Sequence, residues 1–281
     1  MHEYVLTQTQ LSAFALHLRR EEKSAGTTEK YLRDAGRFAC WLGGRPVTAE
    51  LAAAWREHLT AQGYAPVTVN SMLSAVNHLF RFLGWEDCRV KFLKIQRRIF
   101  RDQGRELTRT EYGRLLAAAR RRGENRLALL MEAICSTEVR VSEVKYLTVE
   151  AARRGRAEVR LKGKIRTILL PEKLCRKLLK YAKTQKTVSG EIFLTRNGKS
   201  LGHRQIWAEM KRVCREAGVA PTKVFPHNLR HLFATTFYRA CRDIVRLADV
   251  LGHSSIDTTR IYLMTTGEEH ARLLDRLGLI F

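Results

Sequence analysis

Acidic side chains are in short supply in this chain. Its 28 Asp and Glu face 51 Lys and Arg, which leaves a net charge of +23 over 281 residues. Surplus charge of one sign describes partners rather than fold, and here it favours polyanions, nucleic acid first. A basic, solvated surface is the bland alternative. Long apolar runs are also missing: nothing approaches the ~18 residues of a membrane-spanning helix. The N-terminal MHEYVLTQTQLSAFALHLRR sets acid and amide groups where a secretion signal needs an unbroken apolar stretch. A soluble, cytoplasmic protein is therefore expected. Disorder is excluded, because 45% of the residues are hydrophobic, enough to bury a core.

Paired cysteines are absent too. Cys40, Cys88, Cys135, Cys175, Cys214 and Cys241 are scattered, with no Cys-x-x-Cys among them. Most sit on apolar helical faces, so buried reduced thiols are expected. There is no metal-ligand spacing and no glycine-rich phosphate loop. The sequence thus gives no reason to expect a metal or a nucleotide cofactor.

What is present begins with helical periodicity. Leu11, Phe14, Ala15 and Leu18 follow the i, i+3, i+4, i+7 template, and Tyr31, Ala35, Phe38 and Leu42 follow it again before Gly43 and Gly44. Thr48 suits the N-cap of a third helix carrying Leu51, Trp55 and Leu59, closed by Gly63. Pro66 opens a fourth, with Val69, Leu73, Val76, Phe80 and Leu83 inward and Gly84 at its end. Four short amphipathic helices make a small bundle. On the fourth, Asn70, Ser74, Asn77 and Arg81 repeat opposite the apolar stripe. Such side chains can reach base edges and phosphates in a groove, or form an ordinary solvated face.

The basic segment KIQRRIFRDQG has no sustained period and reads as a linker lying along a phosphate backbone. The expected division is 1–95, helical and DNA-binding; 96–104, linker; and 105–281, a second domain. There, Thr108 and Glu111 fit a capping box, LALLMEAIC continues as helix, and a further helix is expected to begin near Arg140. Glu158–Leu161 and Arg166–Leu170 read as a β-hairpin around a turn at Lys162–Ile165. A short strand is expected at Glu191–Thr195, and the rest is helical. The fold class is mainly α with one small antiparallel sheet (α+β).

The densest chemistry lies between Pro226 and Tyr262, in PHNLRHLF and LGHSSIDTTRIY. Pro226 suits a first helical turn, so His227 and Arg230 project from that end on one side, where the helix dipole already favours an anion. Singly, the histidine reads as a cap and the arginine as a surface ion pair. The segment DIVRLADVLGHSSIDTTRIYL also passes for a helix-turn-helix with Tyr262 as a packing residue.

Upstream, STEVRVSEV places Arg140 at a helix start with Glu143 one turn on, and the hairpin offers Lys162 before Gly163. In this order, together with HxxRH and LGHxxxxTTxxY, the motifs resemble those of the tyrosine recombinase family, the phage-type integrases. The resemblance spans the whole chain. It implies a core-binding (SAM-like) helical domain, a basic linker and a catalytic domain. The reaction it implies cleaves and rejoins DNA through a 3′-phosphotyrosyl intermediate, without metal or ATP. It also implies duplex recombination sites as substrate, a synaptic tetramer on DNA, a possible accessory DNA-bending protein, nucleoid association when bound, and no membrane partner.

Carried over, the catalytic roles fall on Arg140, Lys162, His227, Arg230, His253 and Tyr262, with Lys164 as the alternative lysine because the hairpin is one residue short of the commonest family form. Rival readings are a DNA-binding regulator on the same scaffold and a type IB topoisomerase. One departure stands out: Glu138-Val139 replaces the family's Gly-Leu pair. Glycine there suggests a positive φ, which a glutamate adopts only with strain. The Glu138 carboxylate is also expected to compete with the phosphate for Arg140 and to lower activity. In the tail EEHARLLDRLGLIF, residues Ala271, Leu274 and Leu277 suggest a helix, either exchanged between subunits or folded back.

Overall fold

The computed structural model describes residues 3–95, 103–161, 164–252, 255–260, 262 and 275–277. The chain divides into two compact units, Met1–Arg97 and Arg98–Phe281. Residues 96–102 of the basic linker and most of the C-terminal tail, including Ala271 and Leu274, lie outside the described residues.

The first unit is a bundle of four helices. α1 (Gln8–Arg20) starts at Thr7, whose hydroxyl accepts the Gln10 N–H while the Gln10 side chain accepts the Thr7 N–H; such a cap stabilises a helix by about 1 kcal/mol. α2 (Ala25–Leu42) starts behind Ser24 and stops at Gly43 in the left-handed region. α3 (Ala49–Ala61) has Thr48 as N-cap, as its sequence predicts. α4 (Pro66–Leu83) opens on its proline. The predicted stripes are buried: Phe14 and Leu18 on α1, Ala35 and Phe38 on α2, Val69, Leu73, Val76 and Phe80 on α4. Phe38 meets Phe80 edge-on at 5.6 Å, a favoured aromatic geometry.

The opposite face of α4 differs from expectation. Asn77 is buried, its amide donating to the Val90 carbonyl at 2.9 Å and its oxygen accepting the Val90 N–H at 2.9 Å. Asn70 treats Leu93 in the same way, at 2.9 and 2.8 Å. Among the described residues the segment after α4 has no sheet partner, and backbone groups need one when packed down; the two amides supply it. Ser74 lies 3.4 Å from the Tyr31 hydroxyl, and Arg81 stays exposed.

The second unit is built on α6 (Asn125–Thr137), whose Leu127, Leu130, Met131 and Ile134 are buried. The same core takes in Leu115 of α5 (Arg109–Arg121), which begins with the predicted Thr108–Glu111 capping box. Where a helix was expected near Arg140, a short 3-10 helix runs from Val141 to Tyr146. α7 (Val149–Arg154) leads into the hairpin, β1 (Arg156–Leu161) and β2 (Lys164–Leu169), paired antiparallel from Arg156↔Leu169 to Leu161↔Lys164. The second strand therefore resumes at Lys164, earlier than the sequence suggested.

After α8 (Glu172–Thr184), the expected strand at 191–195 is replaced by isolated bridges, Thr148↔Glu191 and Leu194↔Ser200. Ile192 and Phe193 there are buried in the core, which accounts for the apolar run without a strand. Then come α9 (His203–Arg212), α10 (Cys214–Ala217), α11 (Pro226–Cys241), α12 (Ile244–Leu251) and α13 (Ile256–Arg260). The architecture is mainly α with one two-stranded antiparallel sheet. All six cysteines are free; Cys88, Cys175 and Cys214 are buried, whereas Cys40 is exposed on its helix. Among the described residues no helix is long and apolar enough to cross a membrane.

Candidate active site

The site begins where α6 stops. Its C-cap is Glu138, at φ 58° and ψ 18°. The left-handed backbone expected from the sequence is thus adopted by a glutamate, at a cost of about 1–2 kcal/mol. The side chain is only 1% exposed and points into a cluster of arginines. Its Oε1 accepts from Arg166 Nη2 at 2.5 Å, and its Oε2 lies 2.8 Å from Arg230 Nη1. Arg230 Nη1 also donates to the Glu138 carbonyl. Burial pushes the Glu138 carboxyl up to about 7, against the pull of Arg230, then Arg166 and Arg140. The predicted competitor is present, but it engages Arg230 and Arg166 rather than Arg140.

Arg140 has its own carboxylate. Glu143, buried, accepts from Arg140 Nη1 at 2.9 Å through Oε1 and from the Arg140 N–H at 2.9 Å through Oε2. This pairing fixes the guanidinium and caps the 3-10 turn together. Arg166 links the two glutamates, since its Nη2 also reaches Glu143 Oε2 at 3.0 Å. Its Nη1 donates to the Leu251 carbonyl at 2.6 Å, the oxygen that Arg140 Nη2 approaches at 3.5 Å.

Arg140, His227, Arg230 and Tyr262 line one cleft of about 890 Å³. Pro226 holds the first turn of α11, so His227 stands at the rim while Arg230, one turn on, is buried. Loss of water in the cleft, and then the charge of Arg230, lower the His227 pKa below its ordinary value. A neutral imidazole at neutral pH can accept a proton. Tyr262 is 3% exposed and packs among Ala234, Leu247 and Leu251, with His231 5.2 Å from its ring. Burial raises its pKa above 10, although Arg230 pulls it back. The phenol is therefore protonated at rest, seated in an apolar cluster whose open side faces two arginines. Packing residue and cleft residue are one and the same here.

Lys162, Gly163 and His253 lie outside the described residues; for Lys164 the strand position alone is described. Asn70, Ser74, Asn77 and Arg81 belong to the other unit. Sequence reasoning missed Arg166, whose signal was register: with Ile168 and Leu170 inward, Arg166 shares their face of β2, while Ile165 and Leu169 are 70% and 73% exposed. It also missed Trp207, 52% exposed on α9 and lining the cleft, with Lys211 Nζ 4.7 Å from its ring centre. A histidine–glutamate group, His17, Glu21 and His78, sits in the first unit. Lys23 Nζ lies 3.6 Å from the same Glu21 oxygen that His78 approaches at 2.8 Å, so the group is a local ion-pair cluster.

The phage integrase family matches residues 105–269, and the phage integrase N-terminal SAM-like domain matches residues 11–87. Tyrosine recombinase XerA of Pyrococcus furiosus is 29% identical, covering 100% of this chain and 98% of the relative. Tyrosine recombinase XerC of Roseiflexus castenholzii is 31% identical over 90% of this chain and 88% of its own length. Among solved structures, a lambda integrase tetramer bound to a Holliday junction superposes with a TM-score of 0.75 at 18% identity, covering 93% of this chain and 78% of that one. XerH recombinase bound to its difH substrate gives a TM-score of 0.69 at 19% identity, over 95% and 84%. The chain belongs to the phage integrase family, in the company of tyrosine recombinases.

Proposed function

We propose that this protein is a site-specific DNA recombinase that cuts and rejoins duplex DNA through a 3′-phosphotyrosyl intermediate, with Tyr262 as nucleophile. The observation that carries the reading is the shared cleft, which gathers a phenol, two arginines and an imidazole of lowered pKa. Tyr262 Oη attacks the phosphorus and its proton passes to His227. As the phosphorus becomes five-coordinate, negative charge grows on the nonbridging oxygens, and Arg140 and Arg230 stabilise it. His253 joins them, and Lys162, or Lys164, protonates the leaving 5′-oxygen; these roles rest on motif position. The P–O5′ bond breaks as the tyrosyl–phosphate bond forms, so the bond energy is kept. A 5′-hydroxyl from a second strand then reverses the step.

The N-terminal bundle, residues 1–95, supplies a core-binding domain and 96–104 the linker to a catalytic domain at 105–281. Strand exchange between two sites requires four active sites, so the working form is a tetramer on DNA. A mobile-element origin belongs to the same reading, which also leaves room for an accessory DNA-bending protein. Exposed Trp207 beside Arg204 on the cleft wall suits stacking and phosphate contact. The test uses a nicked duplex that releases its cleaved fragment. Wild-type protein should form a covalent adduct on a denaturing gel, and Tyr262→Phe none. An equal adduct with the variant, or no adduct with wild type, would remove the reading.

A further inference from the structure

Arg166 has no part in the proposed chemistry, yet it is the residue through which the site is tied together. On β2 it occupies an inward register, between a buried core and the end of α12. One guanidinium meets Glu138, Glu143 and the Leu251 carbonyl at 2.5, 3.0 and 2.6 Å. The approach is close enough to dictate the next residue. A Cβ on Gly252 would stand 2.9 Å from Arg166 Nη1 and 3.1 Å from its Cδ, and Gly252 has a φ of +62° besides.

Resting on the recombinase reading above, we infer that Arg166 is a positioning residue of the strand-transfer site, which takes up the charge of Glu138 so that Arg140 and Arg230 keep a surplus for phosphate. The charge count decides the matter. Three guanidiniums, Arg140, Arg166 and Arg230, face two carboxylates, Glu138 and Glu143, leaving a surplus of about one positive charge at a site buried except at Arg140, which is 37% exposed to the cleft; charge is weakly screened at the buried groups. Without Arg166 that surplus vanishes as long as Arg230 keeps Glu138 ionised, a condition that alkaline pH favours. Glu138 is then left to Arg230, whose Nη1 already lies 2.8 Å from its Oε2, and an incoming phosphodiester meets a neutral pocket. Without both Glu138 and Arg166, two guanidiniums face one carboxylate and the surplus returns.

The geometry explains why arginine is needed. One planar group must satisfy two carboxylates and a carbonyl in fixed directions, which a lysine's point charge does not do. Raised by burial to about 7, the Glu138 carboxyl depends on its arginines to remain an anion at all. The residues facing it are therefore matched to it. They are Arg166 from the hairpin, Arg230 from α11 and Arg140 after α6, with Tyr262 beside Arg230.

The test is a cycle of four proteins, wild type, Arg166→Gln, Glu138→Gly and the double variant, on the nicked duplex under single-turnover conditions with enzyme in excess. Arg166→Gln should lose about 100-fold in cleavage, the scale of removing one donor that stabilises developing charge. Adding Glu138→Gly should bring cleavage back to within about tenfold of wild type. Melting temperatures follow each protein. If Arg166→Gln alone does not fold, the double variant is compared with Glu138→Gly, from which it should differ little. A purely structural arginine would cost the same with or without Glu138, and equal losses in both backgrounds would overturn the inference. If wild-type protein forms no adduct, the recombinase reading falls by itself. The inference is then judged on binding of the same duplex: Arg166→Gln must weaken it and Glu138→Gly must restore it, or the inference falls too.

Discussion

The buried polar groups of the bundle and the arginine–glutamate cluster of the catalytic unit are arranged in opposite ways. In the bundle, Asn70 and Asn77 each serve one neighbouring residue's backbone, and Asp34 meets Lys30 and Arg33 on its own helix at 3.0 and 3.1 Å. Each of these needs is met within one pair or triad. In the catalytic unit, Glu138, Arg140, Glu143, Arg166 and Arg230 pair with one another across three stretches of chain. A neutral amide bonded to a backbone is a finished arrangement. A cluster of five charges with a surplus of one is ready for another anion. The contrast teaches that the first unit holds its shape with polar groups and the second holds a function with them.

The largest break in that contrast should come from Arg230→Ala. Cleavage should fall by about 10²–10³ or more, because a donor to the developing charge is lost. Stability should fall as well, by about 3–5 kcal/mol, since Glu138 is left buried with part of its pairing gone. Denaturant titration beside the cleavage assay separates the two. Adding Glu138→Ala should restore most of the stability and none of the cleavage.

Next in size is a pH effect that only the catalytic unit should show. A carboxyl held near 7 in the folded protein, against an ordinary value near 4.5, binds its proton more tightly folded than unfolded. Its contribution to stability is thus fully present below about pH 4.5 and is lost as pH rises through 7. The difference corresponds to about 3 kcal/mol. The stability of Glu138→Gln relative to wild type should therefore grow by that order between pH 4.5 and 8. A difference that stays flat across this range would mean that the arginines hold the carboxylate ionised throughout.

Asn77→Ala should give the smallest effect, and one confined to the bundle. It strands the Val90 N–H and carbonyl and should cost about 1–3 kcal/mol. Sequence preference on DNA, measured by selection from a random duplex pool, should not change. An altered preference with unaltered stability would return Asn77 to the role its position on α4 first suggested.

Much of this was legible beforehand because it is local. The stripes of α1–α4, the Thr48 and Thr108 caps, the left-handed backbone at Glu138 and the gathering of Arg140, His227, Arg230 and Tyr262 all followed from short spacing or an ordered motif set. What escaped needed three dimensions. Asn77 looked free because the segment it serves has no periodicity of its own. The apolar run at Ile192–Phe193 looked like a strand because burial and strand formation favour the same residues. Arg166 entered the sequence reading only as the first residue of a β segment, in a chain of 51 Lys and Arg, and the inward register of β2 is what distinguishes it.

Gly252 carries one last consequence. Its missing methyl group lets the hairpin and the end of α12 dock with Arg166 Nη1 on the Leu251 carbonyl. A pull on β2 is therefore delivered to the last turn of α12. Two elements from distant parts of the chain are joined by a mechanical linkage, whose clearance is set by a hydrogen in place of a carbon.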